Sequence, residues 1–256
     1  MNALLTPIRW LGGTAIRAFR LGAEVFALLY GALAVFAYVR THGLRAVLRV
    51  ATTQTLFTGV HALPLVSLAA LTLGTLIITK ANEYPIDVAD LSAHILVENA
   101  IPMIVAFIIV GRSGTAICVE LASMKLSGEL DAMRSMGIPL EHMIVFPRLF
   151  AGVVSAVSLT IYGSAVSLAG GYFLAKTLSP SMPFALEALV NAIREEDLIH
   201  TLVKTSLFGG AVVLVAIREG YAVQASRREI PIAVTRSVVH GMALVFVLNS
   251  FISLFL

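Results

Sequence analysis

Residues 111–139, GRSGTAICVELASMKLSGELDAMRSMGIP, hold Arg112, Glu120, Lys125, Glu129, Asp131 and Arg134 in a chain that is only 13% charged. A second polar group, Lys80, Glu98 and Asn99, brackets an acidic stretch nearer the N-terminus. The chemistry open to these residue types is ionic, since an ammonium can pair with a carboxylate or take a phosphate oxygen. Hydrolytic chemistry finds no such footing. Ser155 and Ser158 lie in an apolar run without an obvious base, and no such run holds paired aspartates. No Cys/His cluster has metal-ligand spacing, so no catalytic residue, metal ligand or cofactor is assigned to the chain. Cys118 is the single cysteine and reads as a buried free thiol. A GxxxxGK[ST] phosphate loop is missing, so nucleotide is not bound in that way.

The elements that must position these groups are membrane helices. Hydrophobic residues make up 58% of the 256, and mean hydropathy is +0.92, beyond the about 45–50% apolar content of ordinary soluble domains. At roughly 20 residues per crossing, the length allows about five or six helices. The apolar runs are long and do not alternate, which favours helices over a barrel. Thr52–Thr79 reads as a first span. Ala100–Gly111 begins a second, whose pattern continues past Arg112 to about Met124. Leu149–Ala175 is a third, Thr205–Ile217 lies within a fourth, and Ser237–Leu256 is a fifth. Residues 80–98 and 177–200 form acidic loops, the latter with a short helix expected at Phe184–Ile193. No repeat of 20–50 residues is visible, and no nucleic-acid partner is expected.

Loop charge sets the orientation. Residues 125–148 and 224–236 carry the lysines and arginines and belong on the cytoplasmic side. The chain then enters its five-span core, residues 52–256, from the cytoplasm and ends on the opposite face. Leu21–Val39 is apolar but flanked by Arg9, Arg17 and Arg20 and by Arg40, Arg45 and Arg49. A helix lying in the interface keeps both triplets inside, whereas a sixth span would put one outside. The interfacial reading is preferred for residues 1–50.

The charged stretch reads as a short amphipathic helix. Ser127 is expected to cap it, Glu129 and Asp131 suit its first turn, and Gly137 and Pro139 stop it. Leu126, Leu130 and Met133 make one apolar stripe at i, i+4, i+7. Such a helix either lies solvated on the headgroups or docks in a groove of a soluble partner. Arg112 and Glu120, at i and i+8, either snorkel separately or brace the span, with Arg148 as a third member. Gly163, Ser167 and Gly171 form a small-residue ladder that lets another helix approach closely, in this chain or in a second copy. His61 and His240 read as hydrogen-bonded packing residues.

Residues 111–139 and the following FPRLFAG (146–152) resemble the signature of the MlaE-type permease family, membrane subunits of ABC lipid transporters that work with MCE-domain proteins. The resemblance rests on Gly111-Arg112-Ser113-Gly114, Val119-Glu120-Leu121-Ala122-Ser123-Met124, Met136-Gly137-Ile138-Pro139 and Pro147-Arg148. It extends more weakly from Gln54 to the end, through Gly220-Tyr221 and Thr235–Val239. It implies an all-α single-domain permease of the bacterial inner membrane, residues 1–256, with an N-terminal interfacial helix, five spans and a cytoplasmic coupling helix. It also implies a homodimer, a separate ATPase that binds ATP and Mg, a periplasmic MCE-domain protein and phospholipid as cargo. There is room in such an assembly for a small cytoplasmic accessory protein. Glu129, Leu130, Met133 and Arg134 would then meet the ATPase. Gly111, Arg112, Gly114, Glu120, Pro147 and Arg148 would be the structural motif.

Two positions depart from the family pattern, Lys80 where glutamine is frequent and Glu98-Asn99 where the glutamate usually falls one residue later. Pro102 lacks an amide hydrogen and should weaken the second span one turn below Glu98. Lys80, Glu98 and Asn99 are therefore expected to line the polar mouth of an apolar lipid cavity, with Lys80 placed for a phosphate and able to pair with Glu98. An intramembrane enzyme and a scaffold that only anchors an ATPase are the competing functions.

Overall fold

A computed structural model describes residues 24, 27–28, 30–31, 44–81, 93–178, 186–224 and 226–255. Every element among them is helical. Five helices are long and apolar enough to cross a membrane: Leu48–Lys80, Ile95–Leu126, Glu141–Leu178, Glu195–Ala222 and Arg227–Leu254. The five expected spans are all present, each longer than its apolar run. The fourth differs most, because residues 195–200, expected in the acidic loop, are its first turns. Three acids at that N-terminus, Glu195, Glu196 and Asp197, favour starting the helix there. The short helix expected before it is Leu186–Asn191. Most of the expected interfacial helix over residues 21–39 lies outside the described residues.

The fourth span is the hub. It packs against the second, third and fifth, while the first lies along the third. Its residues 208–217 are buried without a break. Two glycine crossings bring backbones together. A Cβ on Gly209 of the fourth span would stand 2.7 Å from the Gly152 carbonyl oxygen of the third. A Cβ on Gly171 would meet the Gly74 carbonyl carbon at 2.6 Å, and one on Gly74 would overlap the Ser167 carbonyl. The ladder Ser167–Gly171 is therefore occupied inside the chain by the first span. Close approach of this kind supplies the dispersion contacts that hold helices together where lipid is as apolar as leucine.

Four π-helical turns interrupt the spans, at Ile95–Ala100, Val110–Gly114, Glu141–Val145 and Val166–Gly170. Two of them run directly into a proline, Pro102 and Pro147. A proline cannot donate to the carbonyl four residues back, and the widened turn accommodates the break. The end of the bundle that carries the acidic loops is called the outer end below, following the charge asymmetry.

Between the second and third spans a short helix, Glu129–Ser135, lies at the inner end. Its N-cap is Gly128 at φ +78°, not Ser127. The single Ser127 hydroxyl proton has three acceptors within reach, Glu129 Oε1 at 2.8 Å and the Ser123 and Met124 carbonyls of the preceding helix at 3.0 and 3.1 Å. Gly137, at φ +74°, ends the short helix as expected.

Candidate functional site

At the outer end the second, fourth and fifth spans share a buried ionic cluster. Pro102 leaves the carbonyl of Glu98 without its helical donor, and Lys204 of the fourth span fills the gap, its Nζ 3.2 Å from that oxygen. The same ammonium donates to Asn99 Oδ1 at 3.0 Å and lies 3.2 Å from Ser253 Oγ of the fifth span. Its distance to the Glu98 carboxylate is 3.8 Å. Lys204 is completely buried, so its charge is tolerated only because each donor direction has an oxygen. Glu98 also meets His94, Nε2 to Oε2 2.9 Å, and the other imidazole nitrogen lies 3.2 Å from Asp197 Oδ1. Asp197 in turn accepts the backbone N–H of Arg194 at 3.0 Å. His94, Glu98 and Asp197 are close enough together to suggest a cation site. Both ring nitrogens already face carboxylates, however, and Lys204 supplies counter-charge, so the group is complete as a hydrogen-bonded ion cluster.

Also toward the outer end, an apolar groove of about 500 Å³ runs between the outer halves of the first and third spans. Leu68, Leu71, Leu76, Leu174 and Leu178 form its walls, and Lys80 stands at its rim. The hydroxyls of Thr72 and Thr75 donate to the Leu68 and Leu71 carbonyls, both at 2.7 Å, which takes two of the three lining threonine hydroxyls out of the groove's chemistry. Lys80 is exposed. The three residues expected at one mouth are thus placed at two separate features: Glu98 and Asn99 in the cluster, Lys80 at the groove.

The inner end holds the charged motif. Arg148 is buried and pairs with Glu120 at 2.7 Å, tying the third span to the second. Arg112 does not join them. The π turn Val110–Gly114 rotates it out of the i, i+8 register, and its guanidinium donates to the Phe57 carbonyl at 2.7 Å while covering the Phe57 ring at 4.7 Å. Gly111 and Gly114 lie in that turn. Leu130 is buried in the chain's own core, and Met133 packs against the same cluster. The apolar stripe of the short helix thus faces inward, and Glu129, Asp131, Arg134 and Met136 face out. Glu219, fully buried in the fourth span, contacts Arg218, His240 at 3.0 Å and Arg236 at 3.9 Å. His240 is therefore a bonded packing residue, as its position suggests. Arg218 also reaches Glu24 of the N-terminal region at 2.6 Å.

The family model described as "Permease MlaE" matches residues 51–255, which is the whole five-span bundle. The chain belongs to the MlaE permease family. Among its relatives, the Haemophilus influenzae "Intermembrane phospholipid transport system permease protein MlaE" is 26% identical over 249 residues, covering 93% of each chain. A Rickettsia felis protein named "Probable ABC transporter permease protein" is 24% identical over 207 residues, 78% of this chain and 80% of its own. Chloroplastic TRIGALACTOSYLDIACYLGLYCEROL 1 of Arabidopsis thaliana is 24% identical over 156 residues, 60% of this chain and 44% of its own. Within this family the chain is a multi-pass membrane protein.

Sequence reasoning missed Lys204, His94 and Asp197. The signal for Lys204 was the carbonyl freed by Pro102, which needs a donor from elsewhere. A lysine at the outer end of a span also runs against the positive-inside bias. His94 and Asp197 were hidden among acidic loop residues whose helical start was not visible.

Proposed function

We propose that the chain is the permease subunit of an ABC-type phospholipid transport system in the bacterial inner membrane. It works as a homodimer, linked to a periplasmic MCE-domain protein, and moves lipid between the membrane and the periplasmic side. ATP is hydrolysed by a partner subunit that meets the outward face of helix Glu129–Ser135. The observation that carries this reading is the groove with Lys80 at its rim. An acyl chain can lie along Leu71, Leu76 and Leu174, and an ammonium at the outer end can take a phosphate oxygen. The printed names of the Haemophilus and Rickettsia relatives support the substrate class and the ABC assembly.

Affinity purification of the tagged chain from native membranes tests this, followed by identification of the proteins and lipids that come with it. The expected result is an ATPase subunit, an MCE-domain protein and phospholipid. Recovery of the ATPase with no retained phospholipid in wild type would favour a scaffold instead.

A further inference from the structure

A cation stands at each end of the first span. Lys80 closes the outer end, at the rim of the groove. Toward the inner end Arg112 reaches across from the second span, donating to the Phe57 carbonyl and covering the Phe57 ring. A break in the first span invites that contact. The helix Leu44–Thr58 stops one residue after Phe57, and a 3₁₀ turn at Val60–Ala62 leads into the next helix, Leu63–Ala81. Carbonyls in the last turn of a helix have no donor within it, and Arg112 supplies one from outside.

That single bond leaves most of the five guanidinium N–H donors unused. Arg148, Arg218 and Lys204 are each paired with a carboxylate, of Glu120, Glu24 and Glu98. Among the described residues no carboxylate pairs with Arg112. The approach to it is open, because Gly111 is exposed and a Cβ there would meet nothing within 4 Å. Its depth follows from the first span. From Phe57 to Lys80 the chain rises about 35 Å at roughly 1.5 Å per residue, against ~30 Å of hydrocarbon. With Lys80 at the outer boundary, Arg112 lies at the inner one, and the exposed Arg49, Thr52 and Thr53 lie beyond it. One ridge connects the two levels: Val60, Pro64, Leu68, Thr72, Leu76 and Lys80 recur at every fourth position, and all are exposed. Side chains at this spacing share a face of the helix.

We propose that Arg112 binds the phosphate of an inner-leaflet phospholipid, at a second lipid site on the ridge whose outer end is the groove. The guanidinium keeps one N–H on the Phe57 carbonyl and offers others to the phosphate oxygens, the bidentate contact for which its fork is suited. The acyl chains lie along Val60 and Pro64 and reach toward Leu68. The permease thus holds one phospholipid in each leaflet on a single helix face. The outer lipid rests on the proposed function, and the inner one stands on Arg112.

The test is native mass spectrometry of the full chain in detergent, titrated with palmitoyl-oleoyl phosphatidylglycerol, with the matching diacylglycerol or with inorganic phosphate. Arg112→Gln keeps a donor for the Phe57 carbonyl and should bind one phosphatidylglycerol about tenfold more weakly, the worth of a charge-assisted hydrogen bond. Arg112→Lys keeps the charge but has one nitrogen for both oxygens, and should lose most of the same binding. Lys80→Met should weaken a different lipid, so that the losses add in the double variant. A benzophenone side chain at Val60 should cross-link phosphatidylglycerol in wild type and far less in Arg112→Gln. Wild-type binding in both Arg112 variants overturns the site, and so does equal binding of diacylglycerol. Displacement of the lipid by inorganic phosphate overturns it by making a free-anion site, and a Val60 cross-link between two copies gives the ridge to a second chain. Loss of the same lipid in Lys80→Met and Arg112→Gln overturns the two-leaflet arrangement. A complex that moves no lipid while Arg112-dependent binding persists contradicts the transport reading and leaves this site standing.

Discussion

Lys204 is the residue on which the outer cluster depends. Removing its ammonium leaves the Glu98 carboxylate and carbonyl facing a cavity, and breaking a buried ion pair from one side costs about 3–5 kcal/mol. Lys204→Met should lower the thermal midpoint of the purified chain accordingly, and Lys204→Met with Glu98→Gln should recover part of that loss. Equal midpoints for wild type and Lys204→Met would mean that the cluster does not hold these spans together. Glu98 and Asn99 were legible in the sequence because Pro102 follows them within one turn. Their cation was not, because it comes from 106 positions further along the chain, and nothing local to residues 80–102 says which helix packs there. Lys80 was the nearest lysine along the chain, and chain proximity suggested a pairing. The described geometry gives Glu98 to Lys204 and His94, and places Lys80 at the groove.

Helix crossings and the inner loop carry the predictions at the scale of elements. Gly74 lies against Ser167 and Gly171 with no room for a Cβ. Gly74→Ala should force the first and third spans apart at a cost of about 1–3 kcal/mol, the usual range for overpacking. The change should appear as a lower unfolding midpoint, and an unchanged midpoint would show that the crossing is loose. The amphipathic pattern of residues 126–133 gave the short helix but not its direction, and only Leu130 and Met133 of the expected stripe belong to it: Leu126 ends the preceding helix and packs on Cys118, Ala122, Val223 and Ala233. A stripe at i, i+4, i+7 says that something apolar covers it. Here the covering surface is the chain's own Leu121, Leu140 and Ile144 cluster. Docking is therefore tested on the outward side. Arg134→Glu with Met136→Asp should sharply reduce co-purification of the ATPase while leaving membrane insertion intact. Undiminished co-purification would place the contact elsewhere.

For the whole molecule, the five spans and their order were legible because long uncharged runs such as Thr52–Thr79 and Leu149–Ala175 have few other fates, and the shorter runs Ala100–Gly111 and Thr205–Ile217 alternate with them between charged loops. The ends were less so. Polar residues such as Glu195 and Glu141 continue a helix beyond the hydrocarbon, and hydropathy stops where lipid stops. The groove could not be read at all, since its walls, residues 68–80 and Leu174 with Leu178, come from helices far apart in the chain, and nothing local to either says that they meet. It is also the feature on which the account of transport rests. The most direct test is ATP-dependent transfer of labelled phospholipid from proteoliposomes holding the co-purified complex to acceptor vesicles, comparing wild type with Thr75→Trp, which fills the groove. The account predicts ATP-driven transfer by wild type, and at least a tenfold loss in Thr75→Trp with the complex still assembled. Transfer by Thr75→Trp at the wild-type rate would contradict it.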